Sequence, residues 1–546
     1  MTTREFLRSS LWSAASLLVL FTAGCHSLPR CHEAVQEKTP RATVKALESQ
    51  HVIELNANGL LYDLRSGQGR RLITDAIGVT NYLQQTIWAG FKKSGRTNLL
   101  VFIHGGLNDR DQGLQHYLDH YQEILNKNDY PVYVVWPTGW RDTYLEHLFW
   151  VRQGIKMETV GERVFSFSTS PLMLFADLGR ALFRLPMVIA SNSRSDRETL
   201  IPARKLDGGS AVRDYQALVD EGLMVHIEDD YSRAGDRLIR DLSYAATFPV
   251  KYLSASLIDG LGQGAWDNMM RRTQTVYPAR MNPQTRARLQ AAISNETANV
   301  TAPATSGRRS RTRKAKRERR YSAAGLPGFF ELLEQFQKTD PALTQVTLVG
   351  HSMGAIILNR VIRDTKMDFA NVVFLAAACS VEDFSTSVLP YMREHTNTQF
   401  YGLSLHPVAE AGEWYLIAGD LVPRGSLLVW IDNFLANPVS EEERTMGRWQ
   451  NLFRSSASGE PLLRRFYDND NSKTLKSRLH FRAFSVGFGG KESMRPARYQ
   501  WNKRPIAREL EARCDNPLSH GEFTEMPYWL SEFWWPLSGA TEKIER

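Results

Sequence analysis

The run Val346-Thr347-Leu348-Val349-Gly350-His351-Ser352-Met353-Gly354-Ala355 constrains this chain more than any other stretch of it. Val346 to Val349 reads as a strand buried on both faces, and Ala355-Ile356-Ile357-Leu358-Asn359-Arg360 continues as a helix. A strand that turns into a helix within so few residues leaves no space for side chains on the bend. Gly350 and Gly354 clear that space, and Ser352 is expected on a strained turn with its Oγ presented at a helix N-terminus. The free N–H groups of that terminus favour developing negative charge. The competing reading is two glycines placed for backbone reasons alone.

The rest of the chain supplies a setting for such a bend. From about His51 strand-like and helix-like stretches alternate, which predicts a mostly parallel sheet covered by helices. Leu99 to Ile103, Pro131 to Trp136, Asn371 to Ala377, Gln399 to Leu405 and Leu479 to Val486 are further expected strands. Helices are expected from Asp111 to Lys127 and from about Met353 to Asp364. The rhythm lapses between about Trp140 and Leu343. Within that stretch, Pro171 to Ala190 has helical spacing, with Leu172, Phe175, Leu178, Leu182 and Leu185 on one side and Asp177, Arg180 and Arg184 on another. It reads either as a helix packed on the domain or as a lid or membrane-facing helix. Asn282 to Ala324 lacks the apolar residues that offset ordering entropy and is expected to be disordered. Gly260-Leu261-Gly262-Gln263-Gly264 has no strand before it and does not fit a dinucleotide site.

A second element is independent of the serine. Leu99 to Ile103 runs directly into His104-Gly105-Gly106. Together with Gly350-His351-Ser352-Met353-Gly354 it resembles the α/β-hydrolase superfamily, over about Asn98–Trp136 and Val346–Trp535. The resemblance implies a serine esterase- or lipase-like enzyme with Ser352 as nucleophile. It implies oxyanion donors from the N–H of Met353 and from Gly106 or Leu107. His104 is read as bracing this loop, and the side chain of His351 is expected to diverge from Ser352.

A serine hydroxyl needs a base, and the base needs an orienting acid. The family order places both after Ser352. Asp420, in Gly419-Asp420-Leu421-Val422-Pro423, resembles an acid-bearing loop, and it reads equally as a turn residue capping the next helix. Asp383 and Glu410 are the other candidates. Of His395, His406, His480 and His520, only His520 lies in a loop after the last strand, where these hydrolases carry the catalytic histidine. No cofactor is expected. No paired Cys/His spacing suggests a metal site.

The N-terminus reads as an export signal. Arg4 and Arg8 precede an apolar stretch from Leu11 to Phe21, too short to span a membrane, followed by Thr22-Ala23-Gly24-Cys25. The segment resembles a bacterial lipobox, which implies lipidation at Cys25 and anchoring in the cell envelope, with His26 compatible with the periplasmic face of the outer membrane. The expected organisation is a signal peptide 1–24, a tether 25–50, a first core segment 51–140, an insertion 141–343 with its basic loop at about 282–324, and a second core segment 344–540.

The formal net charge is +8, and the nine Lys and Arg residues against Glu318 between Arg308 and Arg320 account for all of it. The remainder of the chain is balanced, which argues against a nucleic-acid-coating protein. The basic run also lacks aromatics for base stacking. Anionic lipid or an envelope polymer is the expected partner if the run has one.

Two function classes stay open. One is a membrane-anchored carboxylester hydrolase acting on lipid or other acyl esters, or an acyltransferase using the same triad. The other is an inactive hydrolase-fold protein kept as a binding or scaffold lipoprotein.

Overall fold

The computed structural model describes residues 47–65, 70–106, 110–152, 155–156, 160–200, 248–278, 325–405, 410, 413, 423, 425–453, 462–468, 475, 477–484, 517 and 519–535. Seven strands form one sheet: β1 (Val52–Glu54), β2 (Asn98–Ile103), β3 (Asp129–Val135), β4 (Gln345–His351), β5 (Asn371–Leu375), β6 (Gln399–Leu405) and β7 (Leu479–Phe484). Their order is β1-β3-β2-β4-β5-β6-β7, and every neighbouring pair is parallel. The fold is therefore α/β, with a central parallel sheet flanked by helices. Apart from the first residue of β2, β3 and β5 and the exposed first residue of β4, these four strands are buried throughout. A strand covered on both faces carries apolar residues continuously rather than alternately, which is why they were recognisable in the sequence.

The longer helices are α1 (Ala76–Leu83), α2 (Arg110–Asn126), α3 (Trp140–Trp150), α4 (Val160–Ser168), α5 (Ser170–Leu200), α6 (Phe248–Val276), α7 (Gly325–Thr339), α8 (Gly354–Asp364) and α9 (Val381–Glu394), and α10 (Leu427–Trp430) is one of several short ones. Side-chain caps set several starts: Asp75 accepts from the Gly78 N–H, Ser380 from Asp383 and Ser426 from Val429. Two two-stranded hairpins, Tyr62–Asp63 with Arg71–Leu72 and Val151–Arg152 with Ile155–Lys156, stand apart from the sheet.

The strand order decides where a site can form. From β2 the chain crosses through α2 to β3 on one side, whereas from β4 it crosses through α8 to β5 on the other. The connections leave neighbouring strands in opposite directions, which opens a crevice beyond their carboxyl ends. Ile103 pairs with Gly350 across this junction, so the His104-Gly105-Gly106 loop and Ser352 emerge side by side.

The stretch where the β/α rhythm lapses holds a helical layer. Arg272 of α6 binds Glu146 of α3 at 2.7 Å and the Pro137 carbonyl at 2.8 Å. Asp177 of α5 accepts from Tyr144 at 3.4 Å and lies 3.2 Å from His147 Nε2, and Arg184 pairs with Asp259 of α6 at 3.0 Å. The charged side of α5 is thus its packed side. The glycines at 260, 262 and 264 lie inside α6 and serve close packing: a Cβ on Gly260 would meet Ala181, one on Gly262 Leu435, and one on Gly264 the His147 ring.

Candidate active site

Ser352 occupies the bend between β4 and α8 with φ +51°, a conformation that costs a non-glycine residue about 1–3 kcal/mol. The neighbouring backbone holds it there. Its N–H donates to the Leu375 carbonyl at 2.9 Å, and its own carbonyl accepts from Ala378 at 3.0 Å and from Ala355 at 3.2 Å. Both flanking glycines are required by contact. A Cβ on Gly350 would come within 2.9 Å of the Ala355 nitrogen, and one on Gly354 would drive into the carbonyl of Ile103.

The glycine loop lies directly against this bend. A Cβ on Gly105 would stand 2.7 Å from the Cβ of Ser352, and one on Gly106 would run into the Met353 side chain. His104 braces the loop: its Nδ1–H donates to the Gly105 carbonyl at 2.7 Å, and its Nε2 accepts from the Trp136 N–H at 3.1 Å. The indole of Trp136 returns a hydrogen bond to the His104 carbonyl at 3.1 Å. Met353 starts α8 without a side-chain cap, and its N–H meets no acceptor among the described residues. Gly106 is buried beside it, whereas Leu107 lies outside the described residues.

His520 sits on the turn that enters the 3-10 helix Gly521–Thr524 and is 6% exposed. Its imidazole centroid is 5.0 Å from that of His351, with the rings tilted by 43°. His351 Nε2–H donates to the His520 carbonyl at 3.0 Å. On the other side, the His520 N–H donates to Oε2 of Glu413 at 2.9 Å. Among the described residues neither ring nitrogen of His520 has a hydrogen-bond partner, and the buried Ser352 hydroxyl has none. His520 is held against His351, the residue before Ser352, and is not bonded to the serine hydroxyl. Burial pushes the His520 imidazole down to about 4, so it is neutral and able to accept a proton.

The other candidates are placed elsewhere. Asp383 lies in the first turn of α9 and binds Arg363 at 2.7 Å and Asn359 at 3.2 Å. Glu410 is buried against Ser426 at 2.8 Å and Arg448 at 3.4 Å, and burial raises its carboxyl above the usual range. His395 binds Asp368, and His480 stacks on Tyr401 in the sheet. Asp420, His406, Cys25 and the 308–320 basic run lie outside the described residues.

Glu413 is the contact that the sequence did not reveal. It belongs to no motif, and its link to His520 spans 107 positions. The segment that holds it is anchored by a buried cluster. Arg448 pairs with Glu410 and, at 2.8 Å, with Asp432, while Asn451 Nδ2 donates to Asp432 at 2.8 Å. The Ser426 N–H donates to the Glu410 carbonyl, and the Gly425 N–H to that of Glu413.

Among the described residues no group of three His, Cys, Asp or Glu side chains could hold a metal ion. None of their helices is long and apolar enough to cross a membrane. Comparison of the chain with protein-family models, with curated proteins and with solved structures gave no match.

Proposed function

We propose that this chain is a serine hydrolase that cleaves carboxylic esters through an acyl-enzyme formed on Ser352. The observation that carries the reading is the placement of a buried, unbonded serine hydroxyl at φ +51°, against a glycine loop, in the corner that also receives His520. A strained serine at the mouth of two parallel strands is a costly arrangement for packing alone, and the unsatisfied, buried imidazole of His520, packed on the neighbouring His351, adds to that cost.

In this reading, side-chain rotation brings the His520 imidazole onto the Ser352 hydroxyl as substrate enters. His520 takes the hydroxyl proton, and Oγ attacks the acyl carbonyl. The oxyanion is held by the N–H of Met353 and by one from the Gly106–Leu107 loop. His520 then protonates the departing alcohol, and water attacks the acyl-enzyme with the same imidazole as base. Asp420 remains the sequence's candidate for the orienting acid. Transfer of the acyl group to a second alcohol uses the same steps with that alcohol in place of water. Lipid-anchored residence in the bacterial envelope through Cys25 belongs to the same proposal, and a lipid-like ester is the substrate class that fits it.

The absence of a Ser352–His520 hydrogen bond favours a second reading, an inactive binding or scaffold protein on this fold. A fluorophosphonate probe separates the two, because it labels only an activated serine. Labelling of the full chain that vanishes in Ser352→Ala and falls at least about a hundredfold in His520→Ala supports the enzyme. A folded wild-type chain that takes up no probe and cleaves no ester in a panel of graded acyl lengths establishes the scaffold instead.

A further inference from the structure

α5 is an amphipathic helix turned inside out. Asp177 and Arg184 face its neighbours, as described above, and Arg180 is half-buried. Between Pro171 and Ala190, no residue that is widely open to solvent carries a polar side chain. Leu172, Phe175, Leu182, Phe183 and Met187 are 60–87% exposed. Their positions fall on one face of the helix, which over 20 residues is roughly 30 Å long. α4 precedes it and adds Phe165, at 61%. With ~150–250 Å² per aromatic side chain, the three phenylalanines alone present on the order of 400 Å². That matches the largest apolar patch of a typical monomer before any aliphatic residue is counted.

We propose that the outer face of α4 and α5 is a membrane-contact surface that seats in the headgroup–acyl boundary of a lipid bilayer. Its chemistry favours lipid over protein. A protein interface of this size carries on the order of ten direct hydrogen bonds and a polar rim, and the α5 face has no side chain to supply them. Pro186 and Gly179 also sit where a helical seam with a second copy would need large, regular knobs. Hydrocarbon requires neither hydrogen bonds nor register. Arg163, exposed on α4, stands where its cation can reach phosphate while its stem lies along apolar surface. If Cys25 carries the lipid, residues 26–46 can span roughly 70 Å when extended, enough to let the folded part approach the bilayer sideways. The surface is independent of the catalytic reading, since none of its residues is placed in the Ser352 site.

The test uses the mature chain, residues 25–546, with Cys25→Ser, so that neither an acyl chain nor the apolar stretch Leu11–Phe21 contributes, and vesicles of phosphatidylcholine with and without phosphatidylglycerol. The chain should float with vesicles, more strongly where anionic lipid is present. Phe175→Glu with Phe183→Glu should lower the partition coefficient at least about tenfold, as should the milder pair Leu172→Asn and Leu182→Asn, with melting temperature retained. Ser352→Ala should bind as the parent does, which keeps this result separate from any outcome for catalysis. Failure of the parent to float, or equal flotation of parent and variants, overturns the proposal. So does a lipid-free dimer in sedimentation equilibrium that the same substitutions dissociate, because the face would then belong to a second copy.

Discussion

The imidazole of His351 donates from Nε2 to the main-chain carbonyl of His520 at 3.0 Å, joining the residue before Ser352 to the turn that carries the candidate base. Two segments 169 positions apart in the chain are thereby locked at one corner. Replacing His351 with Leu removes the donor and leaves a buried carbonyl unsatisfied, at a cost of about 1–3 kcal/mol. Ester turnover should fall about tenfold or more while probe labelling of Ser352 persists. Steady-state kinetics on a Leu and a Gln variant would check this, with partial recovery expected in Gln, which retains a donor.

Glu413 acts on the same turn from the opposite side, accepting the His520 N–H at 2.9 Å. A hydrogen bond to a carboxylate contributes about 1.5–3 kcal/mol. Glu413→Ala should lower kcat/KM by roughly ten- to a hundredfold, and Glu413→Gln, which keeps an acceptor, should lose less. Equal rates in all three proteins would show that the turn is held by other contacts.

Gly354 has the carbonyl of Ile103 where its Cβ would be, and Gly105 has the Ser352 Cβ 2.7 Å from such an atom. Gly354→Ala should destabilise by about 3 kcal/mol or more, because rigid backbone must move. Gly105→Ala should be milder in melting temperature and severe in rate, since the atom it displaces belongs to Ser352, the proposed nucleophile. Calorimetry and kinetics on the pair give opposite rank orders if this is correct.

Arg448 is buried between Glu410 and Asp432. Arg448→Leu would strand two buried carboxylates, which typically costs about 3–5 kcal/mol. The loss should be visible as a lower urea midpoint. Replacing Asp432 with Asn at the same time should recover part of the midpoint by removing one of the charges.

Burial holds His51, His480 and His520 near 4, against an ordinary 6.5. The unfolded chain takes up these protons around pH 6.5 and the folded chain only near 4. The stability they contribute is therefore complete above 6.5 and is lost as pH falls toward 4, by at most about 3 kcal/mol for a fully buried histidine. Melting temperature should decline through that window. For catalysis the same depression places the acid limb of kcat/KM below the ordinary histidine value of 6.5, which a pH–rate profile of the wild type checks.

Much of the sheet was legible because burial on both faces writes itself as unbroken apolar runs. Gln399–Leu405 has the predicted bounds, and β2 to β5 differ from expectation by only a few residues at their ends. Val52–Glu54 was too short to register, and it is held by pairing with β3. The α5 helix was legible in its start but not in its orientation, and it runs ten residues past the expected Ala190. Its leucines suggest a packed face, yet Tyr144, His147 and Asp259 on neighbouring helices draw Asp177 and Arg184 inward. His351 was expected to diverge from Ser352, and its ring reaches the His520 carbonyl, a partner no local pattern indicates.

What the residue order determined by itself is the tight turn at Gly350, where steric exclusion acts against the near neighbours Ala355 and Leu358 and needs no distant partner, whereas the exclusion at Gly354 comes from Ile103 of the neighbouring strand. What only the tertiary structure decided is the company that bend keeps. The Gly105 loop, the turn of His520, the carboxylate of Glu413 and the outward face of α5 depend on contacts between segments tens to hundreds of positions apart. Such contacts form by burial and by ion and hydrogen-bond pairing across strands and helices, and neither has a period that a linear pattern can display.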